Sequence, residues 1–232
     1  MPLECEQIGA CTLYRGDCYA VLDDLPRVAL CTDPPYGMAC EVDNRRFSGG
    51  TTRRGRGLTP RWPIIGDQEG VDLTFVHHYP EAIVWGYNHL VDMLGVGGVL
   101  IWLKRYDPAF GTFLSDAELA WVQGRQGVYC RRDLSMHTLT LERQHPAQKP
   151  VSVLAWCLTF IKGDTVLDPF MGVGTTALAC LQQGKAFLGV EIDARYFDIA
   201  CQRITAAYAQ PDLFVPTPPP PRQQPLFVTG DV

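Results

Sequence analysis

The stretch VLDPFMGVGTTALACLQQGKAFLGVEID, Val166 to Asp193, decides the fold class. An apolar run ends in an acid, Asp168. Gly172 and Gly174 then form a turn, a helical pattern opens at about Thr175 and stops at Gly184, and KAFLGVEID reads as a second strand carrying Glu191 near its end. Strand, glycine turn, helix and strand in so short a span is one unit of an α/β layer, and Gly184 occupies the place of a residue that ends a helix in the left-handed conformation. Working outward, CTLYRGD (11–17) is strand-like, YAVLDDL reads as a short helix, and VALCTD (Val28 to Asp33) as a buried strand. Asp33 opens DPPYG, whose prolines and glycine force the chain out of the sheet. AIVWGYNHLVDML (Ala82 to Leu94) resumes regular structure, and Val99 to Leu103 reads as another buried strand. Tyr106 to about Leu141 alternates weakly, as a hairpin-like excursion or further sheet edge does. VSVLAWCLTFI after HPAQKP is helix-like, and Tyr196 to Tyr208 is a helix with Phe197, Ala200, Ile204 and Tyr208 on one face.

Composition bounds the rest. The 232 residues suit one large domain with an insertion, expected over 1–210, followed by a flexible tail over 211–232 that holds seven prolines. Hydrophobic residues at 47% and charged ones at 19% exclude disorder throughout. No apolar run reaches the roughly 18 residues of a membrane span, and MPLECEQIGA lacks the build of a secretory signal. A soluble, cytoplasmic protein with no membrane partner is expected. Nine scattered cysteines with no Cys-x-x-Cys pair point to reduced thiols and no structural metal. The net charge of −5 hides an asymmetry: RRFSGGTTRRGRGLTPR, Arg45 to Arg61, carries +6 and leaves −11 on everything else. A cationic segment of that kind holds a polyanion locally, because phosphate contacts act within a Debye length of about 8 to 10 Å.

Glu191 lies 23 positions after Asp168, close to the roughly 20 expected between a nucleotide-binding turn and the acid that grips ribose hydroxyls. An adenosine-containing cofactor fits. A dinucleotide fingerprint wants a third glycine where Ala177 stands, and a carboxylate at the turn repels phosphate. Asp168 suits an ammonium instead, as in S-adenosylmethionine, which has a sulfonium, an amino group and no phosphate. In open α/β sheets ligands sit beyond the carboxyl ends of strands. Asp33 and Asp168 both end buried strands, so neighbouring strands would turn their loops toward one pocket. In DPPY, the Asp33 carboxylate and Pro34 carbonyl can accept hydrogen bonds from an exocyclic amine, and Tyr36 offers a face for a base.

DPPYG, HPAQKP and DPFMGVGTT, with RGDC at Arg15 to Cys18, together closely resemble the amino-methyltransferases of DNA, in the β arrangement that places the catalytic motif before the cofactor motif. The resemblance covers roughly 11–37 and 82–208. It implies a Rossmann-like S-adenosylmethionine-dependent methyltransferase fold: α/β, with a seven-stranded, mostly parallel sheet and helices on both faces. It further implies a catalytic loop of Asp33, Pro34, Pro35 and Tyr36, and a cofactor loop of Asp168, Phe170, Gly172, Gly174 and Thr175. Glu191 would be the ribose acid, Asp17 and Cys18 the adenine end, and His145, Gln148 and Lys149 the methionine end. The cytosine variant of the catalytic motif usually begins with Ser, so Asp33 favours N6 of adenine.

A base within a duplex cannot present its amine to a buried sulfonium, so the target must be extruded or single-stranded. Met38 to about Pro63 reads as a long loop bearing the DNA-contacting residues Arg45, Arg46, Arg53, Arg54, Arg56 and Arg61, and 106–144 as a short target-recognition region. Either recognition is short and relaxed, or the arginine loop and a second subunit of a homodimer contribute. Cytosine-N4 or RNA methylation, and a catalytically silent DNA-binding module, are the alternatives; a bacterial or viral source, with restriction-modification as one setting, is expected. Replacing Arg53, Arg54 and Arg56 with Ala should weaken DNA binding and flatten its salt dependence, with cofactor affinity nearly unchanged. An unaltered salt slope in binding titrations would remove the loop from the interface.

Overall fold

The computed structural model describes residues 4–37, 70–111, 115–135 and 148–209. Arg45, Arg46, Arg53, Arg54, Arg56, Arg61, His145 and the proline-rich tail lie outside the described residues. Among the described residues nine strands form one sheet: β1 (Glu4–Ile8), β2 (Cys11–Arg15), β3 (Ala29–Thr32), β4 (Ala82–Trp85), β5 (Gly98–Leu103), β6 (Ala117–Val122), β7 (Val128–Arg132), β8 (Thr165–Asp168) and β9 (Ala186–Glu191). Four α-helices accompany them among the described residues: α1 (Tyr87–Leu94), α2 (Val151–Leu158), α3 (Thr175–Gln182) and α4 (Ala194–Ala209).

The strands lie in the order β1-β2-β9-β8-β3-β4-β6-β5-β7. The run from β2 through β9, β8 and β3 to β4 is parallel throughout. β6 is antiparallel to both its neighbours, and β7 joins β5 in parallel. The sheet is mostly parallel, as expected, but has nine strands where seven were expected: a hairpin adds β1 at one edge and β7 closes the other. Part of the segment read as an excursion is β6, which sits inside the sheet between β4 and β5.

Burial follows strand periodicity. Cys31, Ile83, Trp85 and Val166 face a core shared with α2, α3 and α4. Their chain neighbours Leu30, Val84 and Leu167, with Val190, face a second core made with Cys18, Leu73, Val76, Leu90 and Leu94. β3 and β4 are buried at every position, which is why they read as unbroken apolar runs without alternation. The second face is covered by α1 and by short turns. YAVLDDL makes only a 3-10 turn, Cys18–Ala20, with Asp17 accepting from the Tyr19 amide at 3.0 Å; Asp23, Asp24 and Pro26 are poor company for a longer helix. α3 ends as its sequence indicates: Gly184 adopts φ +65°, and the Lys185 and Gly184 amides donate to the Cys180 and Leu181 carbonyls at 2.9 and 3.2 Å. On α4, Phe197, Ala200 and Ile204 are buried, whereas Tyr208 is 38% exposed. Its hydroxyl accepts from the Ala10 amide at 2.6 Å, so α4 clasps the β1–β2 turn.

Candidate active site

Four strand tips line up on one edge of the sheet. Because β2, β9, β8 and β3 are consecutive and parallel, their carboxyl ends deliver Asp17 with Cys18, then Glu191, then Asp168, then Asp33, in that order. At about 4.8 Å per strand the row spans about 14 Å. Its two halves are joined by a buried hydrogen bond in which Thr32 of β3 donates to Asp168 of β8 at 2.7 Å.

Asp168 is 2% exposed. Besides Thr32 it accepts from the Thr176 hydroxyl at 2.7 Å and from the Phe170 amide at 3.1 Å. Burial pushes its pKa up to about 6 against the pull of those donors. Glu191 accepts from the Gly172 amide at 2.9 Å and the Asp193 amide at 2.7 Å, so it pins the glycine turn; burial pushes it up to about 7. Gly172 has φ +52°, and a Cβ there would meet nothing within 4 Å, so open space lies beside the turn. Gly174, at φ +74°, abuts Ala200 of α4 instead. The Thr175 hydroxyl accepts from Arg203 of α4 at 3.3 Å, which makes it part of the α3–α4 packing. Gln148 is half-buried directly before Lys149.

The DPPY loop leaves β3 with Pro34 buried and Asp33, Pro35 and Tyr36 partly exposed. The Tyr36 hydroxyl donates to one Asp33 oxygen and the Lys149 ammonium to the other. Tyr36 stacks on His89 of α1, with centroids 5.2 Å apart and planes inclined by 22°. Its ring edge also lies against Gly86, where a Cβ would stand 2.1 Å from Cε1. Gly86 has φ +80°, so the position demands glycine twice over, by conformation and by space.

Lys149 is 5% exposed. Its ammonium lies 3.3 Å from Glu118 of β6 and 4.8 Å from the centre of the Trp85 ring. Glu118 in turn accepts from Lys104 at 2.9 Å. Burial works against charge on Lys149, but Asp33, Tyr36 and Glu118 outweigh it and hold its pKa above the ordinary lysine value. Burial likewise opposes the Glu118 carboxylate, and the two lysines still keep it below the usual range.

The structure thus gathers Asp33, Tyr36, Lys149, Asp168, Gly172, Glu191 and Asp17 along one edge. Sequence reasoning did not find Thr32, Thr176, Gly86, His89 or Glu118. The adjacent threonines of TTALAC were a visible cue for Thr176; the others became visible only once the strands were paired.

A raised carboxyl binds its proton more tightly when folded, so its contribution to stability is present at low pH and lost as the pH rises. Wild type should lose unfolding free energy relative to Glu191→Gln between pH 4.5, the ordinary glutamate value, and about 7, and then hold a constant difference. Urea denaturation across that window checks this; a flat difference would show that Glu191 titrates as a solvated acid.

The N6/N4 family model described as DNA methylase matches residues 100–202, the stretch from β5 through the glycine turn to α4. A candidate methylase of Escherichia coli (strain K12), YubD, is 27% identical over 218 residues, covering 83% of this chain and 89% of that protein. The type II methyltransferase M2.DpnII of Streptococcus pneumoniae is 37% identical over 65 residues, 27% of this chain and 24% of its own. Among solved structures, M1.HpyAVI matches with a TM-score of 0.54 at 18% identity, over 84% of this chain and 98% of that one. These matches agree with the row of strand tips and the two acidic loops: residues 100–202 match the DNA methylase model of the N6/N4 family, and the chain is similar over most of its length to the Escherichia coli protein and shares the fold of M1.HpyAVI.

Proposed function

We propose that this chain is a DNA methyltransferase of the N6/N4 kind that moves the methyl group of S-adenosylmethionine to N6 of an extruded adenine. The observation that carries the reading is the adjacency of β8 and β3, which sets Asp168 and Asp33 on neighbouring parallel tips. The cofactor supplies an electrophilic methyl on a sulfonium. This chain's residues fit such a group: open space beside Gly172, a carboxylate at Glu191 for ribose hydroxyls, and Asp168 toward the amino-acid end, with Phe170 and Gln148 nearby. Asp17 and Cys18 stand at the far end of the row for the adenine. No phosphate need be accommodated, which suits a cleft lined by acids.

In this reading Asp33 and the Pro34 carbonyl accept the two amine hydrogens of the target base, and Tyr36 carries its ring. The nitrogen lone pair, freed from the ring by those hydrogen bonds, forms the new N–C bond as the S–C bond breaks. The proton then released passes to Asp33 or to water. Asp33 at the head of the loop, where the cytosine form of the motif usually has Ser, favours adenine over cytosine.

Labelled S-adenosylmethionine and mixed-sequence DNA, followed by nucleoside analysis, test this. N6-methyladenine is expected. N4-methylcytosine would replace adenine by cytosine as the target, and no label would overturn the enzymatic reading. Asp33→Ala should lower transfer about 10²-fold or more while cofactor binding persists; full residual activity would overturn its role. Gly86→Ala should cost about 10-fold or more by displacing Tyr36, with cooperative unfolding retained. Unchanged turnover in that variant would detach the Tyr36 ring from base binding.

A further inference from the structure

We propose that Glu118 is a positioning residue that acts through Lys149 to keep the Asp33 carboxylate available to the target amine. This inference rests on the methyl transfer proposed above and concerns a strand, β6, to which that reading gives no part.

As the loop stands, both Asp33 oxygens have partners: the Tyr36 hydroxyl on one and the Lys149 ammonium on the other. Each carboxylate oxygen can accept a second hydrogen bond, so the incoming amine competes with these donors for the charge on Asp33. It also develops positive charge as the N–C bond forms, and a lysine bound wholly to Asp33 would oppose that charge. Lys149 is not bound wholly to Asp33. Its ammonium, with a side chain only 4% exposed, is shared with Glu118 at 3.3 Å and lies over the face of Trp85. An ammonium has three donors, so these acceptors together suit it without water.

When the amine binds Asp33 and draws on its charge, Lys149 keeps the Glu118 carboxylate and the Trp85 ring, and no buried charge is stranded. A stranded charge there would be costly. The inner trio of Asp33, Lys149 and Glu118 carries a net −1, which favours the cationic amine of the transition state. Lys104, 2.9 Å from the other Glu118 oxygen and with 26% of its side chain exposed, anchors Glu118 from the solvent side. The position is also built into the sheet, because Glu118 pairs with Trp102 in the β5–β6 register.

Glu118→Gln keeps the shape and removes the charge, so Lys149 settles on Asp33. Turnover should fall about tenfold or more, with KM for DNA changed by less than about threefold, because backbone phosphate contacts dominate affinity. The readout that separates this from a merely structural role is dependence on Lys149. In a Lys149→Gln background, adding Glu118→Gln should lower kcat by less than about twofold. An equal, independent loss in both backgrounds would overturn the proposal.

A second measurement needs no turnover. The chain has four lysines, so ¹⁵N-lysine-labelled protein gives at most four ammonium resonances. That of Lys149, identified by its loss in Lys149→Arg, should shift in both Glu118→Gln and Asp33→Asn. In unmutated protein, Lys149 side-chain hydrogens should show Overhauser contacts to Glu118 and Trp85. A Lys149 resonance indifferent to Glu118→Gln, or missing contacts, would overturn the sharing. Wild-type protein that transfers no methyl to DNA would instead sink the proposed function, and the resonance data would still decide whether Glu118 holds Lys149.

Discussion

The hydrogen bond from Thr32 to Asp168 crosses from one strand tip to the next and is buried on both sides. Asp168 is a carboxylate with almost no access to water, and such a group persists only where donors surround it. Thr32, Thr176 and the Phe170 amide supply them from three different places: the end of β3, the first turn of α3 and the loop between β8 and α3. The acid therefore locks the glycine turn, the start of α3 and the root of the DPPY loop into one arrangement. Glu191 does the same one strand further along, holding the amides of Gly172 and Asp193. Ligand-facing loops are usually the least restrained parts of an α/β protein; here two acids tie them from beneath.

The DPPY loop is restrained differently. Asp33 is held from outside the parallel row, by Lys149 ahead of α2 and by Tyr36, whose ring rests on α1 through His89 and Gly86. Elements from both halves of the sheet thus meet at one carboxylate. The glycine-turn end of the row is fixed by neutral hydroxyl and amide donors. The DPPY end is fixed by charge, and in the proposed reaction that charge is redistributed when the amine arrives.

What the sequence disclosed follows from locality. Val166 to Glu191 carries its own strand, turn, helix and stop signal, each set by residues a few positions apart, and all four are found where expected. Asp33 and Asp168 were identifiable as strand ends because each follows an apolar run and precedes a breaker. The partnership of Lys149 with Asp33 spans 116 positions, and no periodicity reports so distant a pairing. β6 was illegible for a related reason. AELAWV has a charged residue at a place that faces Lys149 and Lys104, so its alternation is blurred by the very contact that gives Glu118 its environment. The fold class and the two acidic tips were therefore readable, whereas the second charged partner and the stacking support for Tyr36 required the sheet order.

The placement of β6 also governs how the domain assembles. Chain order runs β4, α1, β5, β6, yet β6 lies between β4 and β5. The two earlier strands cannot close on each other and must leave a slot of one strand's width until the later segment enters it. Loop-closure entropy has to be met before that slot is filled, so β5 and β7 join the sheet only as β6 enters, and Glu118 arrives with that strand. Until β6 enters, Lys149 lacks the Glu118 carboxylate that balances it. Charge balance beside Asp33 and completion of the sheet are one event.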